Sequence, residues 1–292
     1  MPVVLVLVLV LCRFLNTRPE EIPMAEPRAA AVVLAGGRAD AAFRAAAGVD
    51  NRALAPLAGR PMVAWVLAAL AAAQTVERIV LVGAEGLTDA PGVRQQLRGG
   101  ADLMETIERG MGACPGAAYV LLVTADIPAL TAAGIDAFVR AGIATGAEFV
   151  YPIIPRAANE ARFPGVKRTY LRLTNGMFTG GNLVLVRPEA LLRRRDLVRR
   201  TYAARKQPLR LAAMLGWGVL WRLLCRRLSV DDAAAAVSRL LRVRSQAVIT
   251  EDADLGADVD HVAGLQVMER YLEAREENAK TRKSENAKKG ET

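Results

Sequence analysis

The stretch VVLAGGRADAAFRAAAGVDNRALAPLAGRPM, residues 32–62, governs the reading of the whole chain. An apolar run stops on the pair Gly36-Gly37, a segment carrying Arg38, Asp40, Arg44, Asp50 and Arg52 follows, and an apolar pattern resumes through Gly59 and Pro61. A purely structural connection needs far fewer residues. The glycine pair lets backbone N–H groups approach an anion without side-chain obstruction. Taken alone, such a pair is also what an ordinary turn uses.

Outward from this stretch, short β-rich runs alternate with alanine-rich helical patterns. AAVVLA (30–35) reads as a buried strand, PMVAWVLAALAAA (61–73) as a helix with Pro61 in its first turn, and RIVLVG (78–83) as the next strand. A helix over Leu103–Met111 precedes YVLLVTAD (119–126), a buried strand ending on an acid, and TAAGIDAFVRAGIA forms a helix capped by Thr131 before the strand EFVYPII. Strands separated by helices predict an α/β fold of three layers, α/β/α, around a mostly parallel sheet. Ligands of such sheets gather at the carboxyl ends of the strands, where Gly36, Gly37 and Asp126 fall. Further on, YLRLTNGMFTGGNLVLV (170–186) reads as two strands joined through glycine turns, a β flap. An arginine-rich helical stretch follows from Pro188 to about Leu228, then a helix over Asp231–Leu241, the strand QAVIT, an acidic loop and a last helix from about His261. With no internal repeat, one domain is expected over residues 30–272, carrying a helical insertion at about 188–243.

Composition narrows the chemistry. The 39 Lys and Arg against 30 Asp and Glu give a formal charge of +9, which favours an anionic partner. Cys12, Cys114 and Cys225 match no metal-ligand spacing and no disulfide framework, so a reducing cytoplasm is the expected compartment. His261 is the sole histidine, which disfavours histidine triads and multi-histidine metal sites, and the absence of a GxxxxGK[ST] sequence disfavours a P-loop NTPase. PVVLVLVLVLC (2–12) is too short to span a bilayer and lacks the basic flank and cleavage site of a signal peptide. Translation is therefore expected to begin at Met24, with residues 1–29 an extension outside the domain. The charged segment 273–292 is expected to be a frayed helix end followed by disorder.

The series LAGG, then NRALAPLAGRPM, then a strand ending TADIP resembles the MobA-like NTP transferases. That resemblance covers roughly residues 30–272 and is strongest up to Pro128. It implies a Rossmann-like, GT-A-type fold and transfer of a nucleotidyl group from an NTP to an acceptor phosphate. The long segment after β-strand 30–35 would then be the triphosphate cradle, with Leu34, Ala35, Gly36, Gly37 and Arg38 at the nucleotide. In the family a lysine within K-x-L-x-P-x-x-G-x-P contacts phosphate. The matching position here is Arg52, with Leu54, Pro56, Gly59 and Pro61 in register. Arginine keeps the charge and can grip phosphate bidentately, but it is bulkier than lysine.

By the same resemblance Asp126 is the metal-binding aspartate, since a carboxylate at a strand's carboxyl end can hold Mg²⁺ while the ion keeps several waters. DLGADVDHVAGL resembles the family's D-V-D-x-P-x-D-L loop, which makes Asp260 the second metal ligand and Asp258 its neighbour; Val262 and Gly264 replace the later proline and aspartate. FTGGNLVLV resembles the segment lining the acceptor side, implicating Gly180, Gly181 and Asn182. LRGGADLMETIERGM occupies the position of the base-proximal loop, implicating Glu105 and Thr106.

The segment RRRDLVRRTYAARKQPLRLAAMLGWGVLWRLLCRRLS admits three readings. Its arginines and Lys206 line an entrance for an anionic acceptor, RKQP resembling a basic element of some family members. Alternatively Trp217, Leu220, Trp221 and Leu224 form the apolar face of an interfacial helix. In the third reading that face packs on the sheet. The expected activity is Mg²⁺-dependent, with an NTP and a small phosphorylated acceptor as partners and no nucleic acid. Two alternatives stand beside it: a nucleotide-binding protein with impaired catalysis, and a GT-A glycosyltransferase, which would usually carry Asp-x-Asp where this chain has Thr124-Ala125-Asp126.

Overall fold

The computed structural model describes residues 27–88, 90–204, 214 and 216–289, with side chains to residue 281. The expected start at Met24, Cys12 and Lys206 lie outside the described residues.

Four strands make the parallel heart of the sheet: β1 (Ala29–Ala35), β4 (Val76–Gly83), β5 (Val93–Leu97) and β6 (Val120–Thr124), in the order β5-β4-β1-β6. β1 is buried on both faces and alternates between two cores. Ala29, Ala31, Val33 and Ala35 meet Val63, Val66 and Leu67 of α2 (Met62–Ala72) and Phe138 of α4 (Ala132–Ala144). Ala30 and Val32 meet Met104, Ile107 and Met111 of α3 (Leu103–Gly112). Strand side chains point to opposite faces in turn, so an all-apolar strand demands a helical layer on each side. The three-layer α/β/α architecture follows, as the sequence implies.

Beyond β6 the sheet continues through β10 (Leu183–Val186), β7 (Phe149–Pro155), β9 (Gly176–Gly180) and β8 (Leu171–Leu173), with β11 (Ser245–Ile249) parallel to β7. β9 and β10 pair antiparallel with the two ends of β7 along the edge opposite β11, and the chain bulges between them at Gly181-Asn182. The flap is therefore β8 and one bulged line made of β9 and β10. A Cβ at Gly181 would lie 2.6 Å from Pro152 Cγ and 3.0 Å from the Leu255 carbonyl oxygen, so the bulge needs a glycine.

The opening stretch folds further than a loop. Asp40 accepts from the Phe43 N–H and caps α1 (Ala41–Ala47), which Gly48 ends in the left-handed region. A two-residue hairpin, β2 (Pro56–Leu57) and β3 (Arg60–Pro61), leads into α2. α5 (Arg156–Arg162) follows β7, and the arginine-rich insertion supplies α6 (Pro188–Leu192), α7 (Arg195–Ala203), α8 (Trp217–Leu224) and α9 (Val230–Leu241).

Two expectations are corrected. The C-terminal segment is helical: α10 runs from Val262 to Lys289. Leu265, Met268 and Leu272 bury themselves against Phe43, Leu57 and Trp65, and Arg275 donates to the Ala129 carbonyl at 2.6 Å. The Ala/Glu/Lys/Arg composition read as disorder is also that of a good helix former once one end is anchored. The outer face of α8 does not pack on the sheet: Trp217, Trp221 and Leu224 are 74%, 69% and 69% exposed.

Candidate active site

The site forms where β1, β4 and β6 end. Gly36 is exposed with open space where a Cβ would stand. The Gly36 and Gly37 N–H groups donate to no acceptor among the described residues. The carbonyls before them are engaged: Leu34 accepts from Ala125 N, and Ala35 accepts from Ala84 N and from the Asn51 side chain at 2.7 Å. Asn51, unnoticed in the sequence, also accepts from Ala53 N and caps the 3₁₀ turn Arg52–Leu54. Together with the Arg52 N–H on the Gly37 carbonyl at 2.9 Å, this clips the far end of the long segment onto β1.

That clip aims Arg52. Its side chain is 22% exposed; Nη1 meets Asp260 Oδ1 at 2.7 Å and Nη2 lies 3.9 Å from Asp126 Oδ2. A Cβ on Gly37 would sit 3.5 Å from Arg52 Nη2, so the guanidinium lies directly against the glycine. Asp126, two residues past β6, is tied to the acidic loop by the Val259 N–H on its carbonyl at 2.9 Å. Asp258 in that loop pairs with Arg168 at 2.8 Å, both largely buried.

Three carboxylates, Asp126, Asp258 and Asp260, thus share two arginines. Burial first, and then repulsion from Asp258 and Asp260, push the Asp126 carboxyl up to about 6, against the pull of Thr124 and Arg52. Burial and Asp260 likewise raise Asp258, with Arg168 opposing. Asp126 Oδ1 and Arg52 Nε are buried with no hydrogen-bond partner. An acceptor and a donor left bare side by side are expensive in isolation. Among the described residues no group of three or more His, Cys, Asp or Glu is arranged around a common metal position.

Gly180-Gly181-Asn182 borders this cluster: the Asn182 carbonyl accepts from Thr124 N at 3.2 Å, and Asn182 N donates to Leu255 O. Gly181's lack of a side chain is accounted for by Pro152 and Leu255. Glu105 and Thr106 stand on the same carboxyl edge but are spent locally: Glu105 accepts from Ala101 N and Arg109, and Thr106 Oγ1 joins Gly100 N to the Asp102 carbonyl. Arg38 is exposed, its backbone bridged to Asn51, and Arg44 pairs with Asp50 on the surface. Arg168 was unmarked in the sequence, since nothing in RFPGVKRTY announces a partner so distant.

The family model for the MobA-like NTP transferase domain matches residues 31–278, from β1 into α10. The chain belongs to the MobA-like NTP transferases. A solved structure described as a hypothetical transferase from Thermus thermophilus is 43% identical with a TM-score of 0.74, over 82% of this chain and 99% of that one. The chain is also 31% identical over 141 residues to a 2-C-methyl-D-erythritol 4-phosphate cytidylyltransferase of Frankia casuarinae, a match covering 47% of this chain and 52% of that protein, so it spans about half the length of this curated relative. A solved 2-C-methyl-D-erythritol 4-phosphate cytidylyltransferase, also from Thermus thermophilus, shares the fold, with a TM-score of 0.51 at 14% identity over 84% of this chain and 99% of that one. No helix among the described residues is long and apolar enough to cross a membrane.

Proposed function

We propose that the protein transfers a nucleotidyl group from an NTP to a phosphorylated acceptor, with Mg²⁺, releasing pyrophosphate. The observation that carries this is the bare pair Asp126 Oδ1 and Arg52 Nε beside the unengaged Gly36 and Gly37 amides. The donors suit phosphate oxygens, and the bare acceptor in a cluster of three acids and two arginines suits a cation. Mg²⁺ commonly takes only one or two carboxylates and keeps its waters, so Asp126 with Asp260 is a sufficient donor set. Bound there, the ion would supply charge neutralisation to the phosphates.

The chain's own residues do the rest. The Gly36 and Gly37 amides and Arg52 fix the triphosphate, the backbone bond from Val259 to Asp126 holds the two acids in mutual register, and the Gly180–Asn182 bulge shapes the acceptor side. An oxygen of the acceptor phosphate attacks the α-phosphorus in line while the bond to pyrophosphate breaks. That oxygen is already ionised at neutral pH, so positioning replaces a general base. CTP is the first nucleotide to try, because the Frankia relative is named a cytidylyltransferase, and polyol or sugar phosphates are the first acceptors.

The Arg52–Asp260 ion pair favours a second reading, a nucleotide binder with impaired catalysis, because it engages one side chain needed by phosphate and one needed by metal. Calorimetric titration of CTP, GTP, ATP and UTP with and without Mg²⁺, followed by pyrophosphate release with Arg52→Ala and Arg52→Lys, separates the two. Transfer predicts that Arg52→Ala loses about 100-fold in kcat/KM while Arg52→Lys stays within about tenfold. Mg²⁺-dependent binding without pyrophosphate for any acceptor supports the impaired binder. No binding at all removes both.

A further inference from the structure

Helix α8 carries more apolar surface than the fold covers. Val219 and Leu223 pack inward against the core that includes Tyr151, Leu228 and Val237. Trp217, Trp221 and Leu224, spaced one and two turns apart, form an opposite face and are the three most exposed large apolar side chains among the described residues. A helix with apolar residues on both faces ordinarily has both covered. Single exposed hydrophobics are common, whereas a contiguous patch of this kind marks an interaction surface.

The surrounding charge selects the partner. Arg226 and Arg227 follow the helix end, and Arg239 and Arg242 lie along and just past the neighbouring α9; all four are exposed, and none has an acidic partner among the described residues. Arg222, on the flank of α8 towards α9, is paired to Asp232. The recess between α8 and α9 is walled by Gly218, Val219, Arg222 and Arg239, and Trp217, Trp221 and Leu224 do not line it, so the apolar face stands outside that recess. Indole rings flanked by unpaired arginines suit the headgroup layer of a bilayer, which is deformable, apolar below and anionic above. We propose that α8 docks the protein peripherally on an anionic membrane, with Trp217, Trp221 and Leu224 at the headgroup–acyl boundary and the four arginines among the headgroups. Leu228 ties this element to the flap by accepting from Thr174 N at 3.0 Å, so attachment is mechanically continuous with the β8–β9 hairpin that leads to Gly180.

The test uses the full chain with phosphatidylcholine vesicles containing or lacking phosphatidylglycerol. Trp65 is buried, so Trp217 and Trp221 report insertion by a blue-shifted emission. The expected result is cosedimentation with the phosphatidylglycerol vesicles at low salt and a blue shift. Binding should weaken about tenfold or more in high salt and in Arg226→Glu/Arg227→Glu, and should be lost in Trp217→Ser/Trp221→Ser. Thermal unfolding confirms that these surface variants fold. Three results overturn the proposal: no vesicle binding, binding that both double variants leave intact, or a blue shift that depends on protein concentration without lipid, which would assign the face to a second copy of the chain.

Discussion

Asp126 and Arg52 carry opposite faults, a carboxylate whose ionisation the fold resists and a guanidinium with an idle N–H. The Asp126 carboxyl titrates at about 6 in the folded chain against an ordinary 3.8, so the folded state holds its proton over that window while the unfolded state has lost it. Stability contributed by this group is therefore full below 3.8 and falls as pH rises towards 6. Asp126→Asn is expected to be more stable than the parent near neutral pH by up to about 3 kcal/mol, the difference closing in acid; denaturant unfolding at the two pH values measures it, and equal stabilities near neutral pH would refute it. The same variant should lose Mg²⁺-dependent nucleotide binding. Asp126 was legible because a strand signature ends on it and the TADIP motif follows. Asn51 and Arg168 were not, since their roles consist of bonds to Ala35 and Asp258 that no local pattern encodes.

At the scale of elements, β4 meets the glycine pair through Gly83. Its φ is +96°, and a Cβ there would stand 2.7 Å from the Ala35 carbonyl carbon and the Gly36 nitrogen. Gly83→Ala is expected to cost about 2–4 kcal/mol and to weaken nucleotide binding by displacing the end of β1, measured by thermal unfolding and calorimetry together; a stable variant with parental affinity would show that the junction tolerates the atom. Buried strands such as β1 and β6 were readable from their apolar runs. The edge strand β5, VRQQL, was missed because one of its edges faces solvent and its sequence is mostly polar. α1 was missed because its seven residues carry a clear Asp40 cap but were read as part of a loop.

The whole molecule is closed by α10, and one buried charge shows how. Asp254 is 3% exposed and accepts both arms of Arg162, at 2.9 and 2.8 Å, while Tyr271 of α10 joins the pair. α5, the 3₁₀ turn before the acidic loop and the last helix are thereby fastened at one point. Arg162→Ala strands Asp254 and should lower stability by about 2–4 kcal/mol while raising the KM for nucleotide, because the acidic loop hangs from that turn. Urea unfolding and steady-state kinetics test the two effects, and an unchanged KM would confine the network to stability. This closure was the least legible feature, since charge along 273–289 reads alike for a solvated tail and for a helix whose other end is packed.

Arg52 and Asp260 meet across 208 residues of chain. During synthesis the glycine loop, Arg52 and Asp126 leave the ribosome long before Asp260 does, so nascent chains hold only the Arg52–Asp126 part of the cluster and lack the closer of the two acids that Arg52 meets. If the proposed site is right, nucleotide stabilises only the finished molecule, and a chain cut before β11 is expected to be a product that added nucleotide does not rescue.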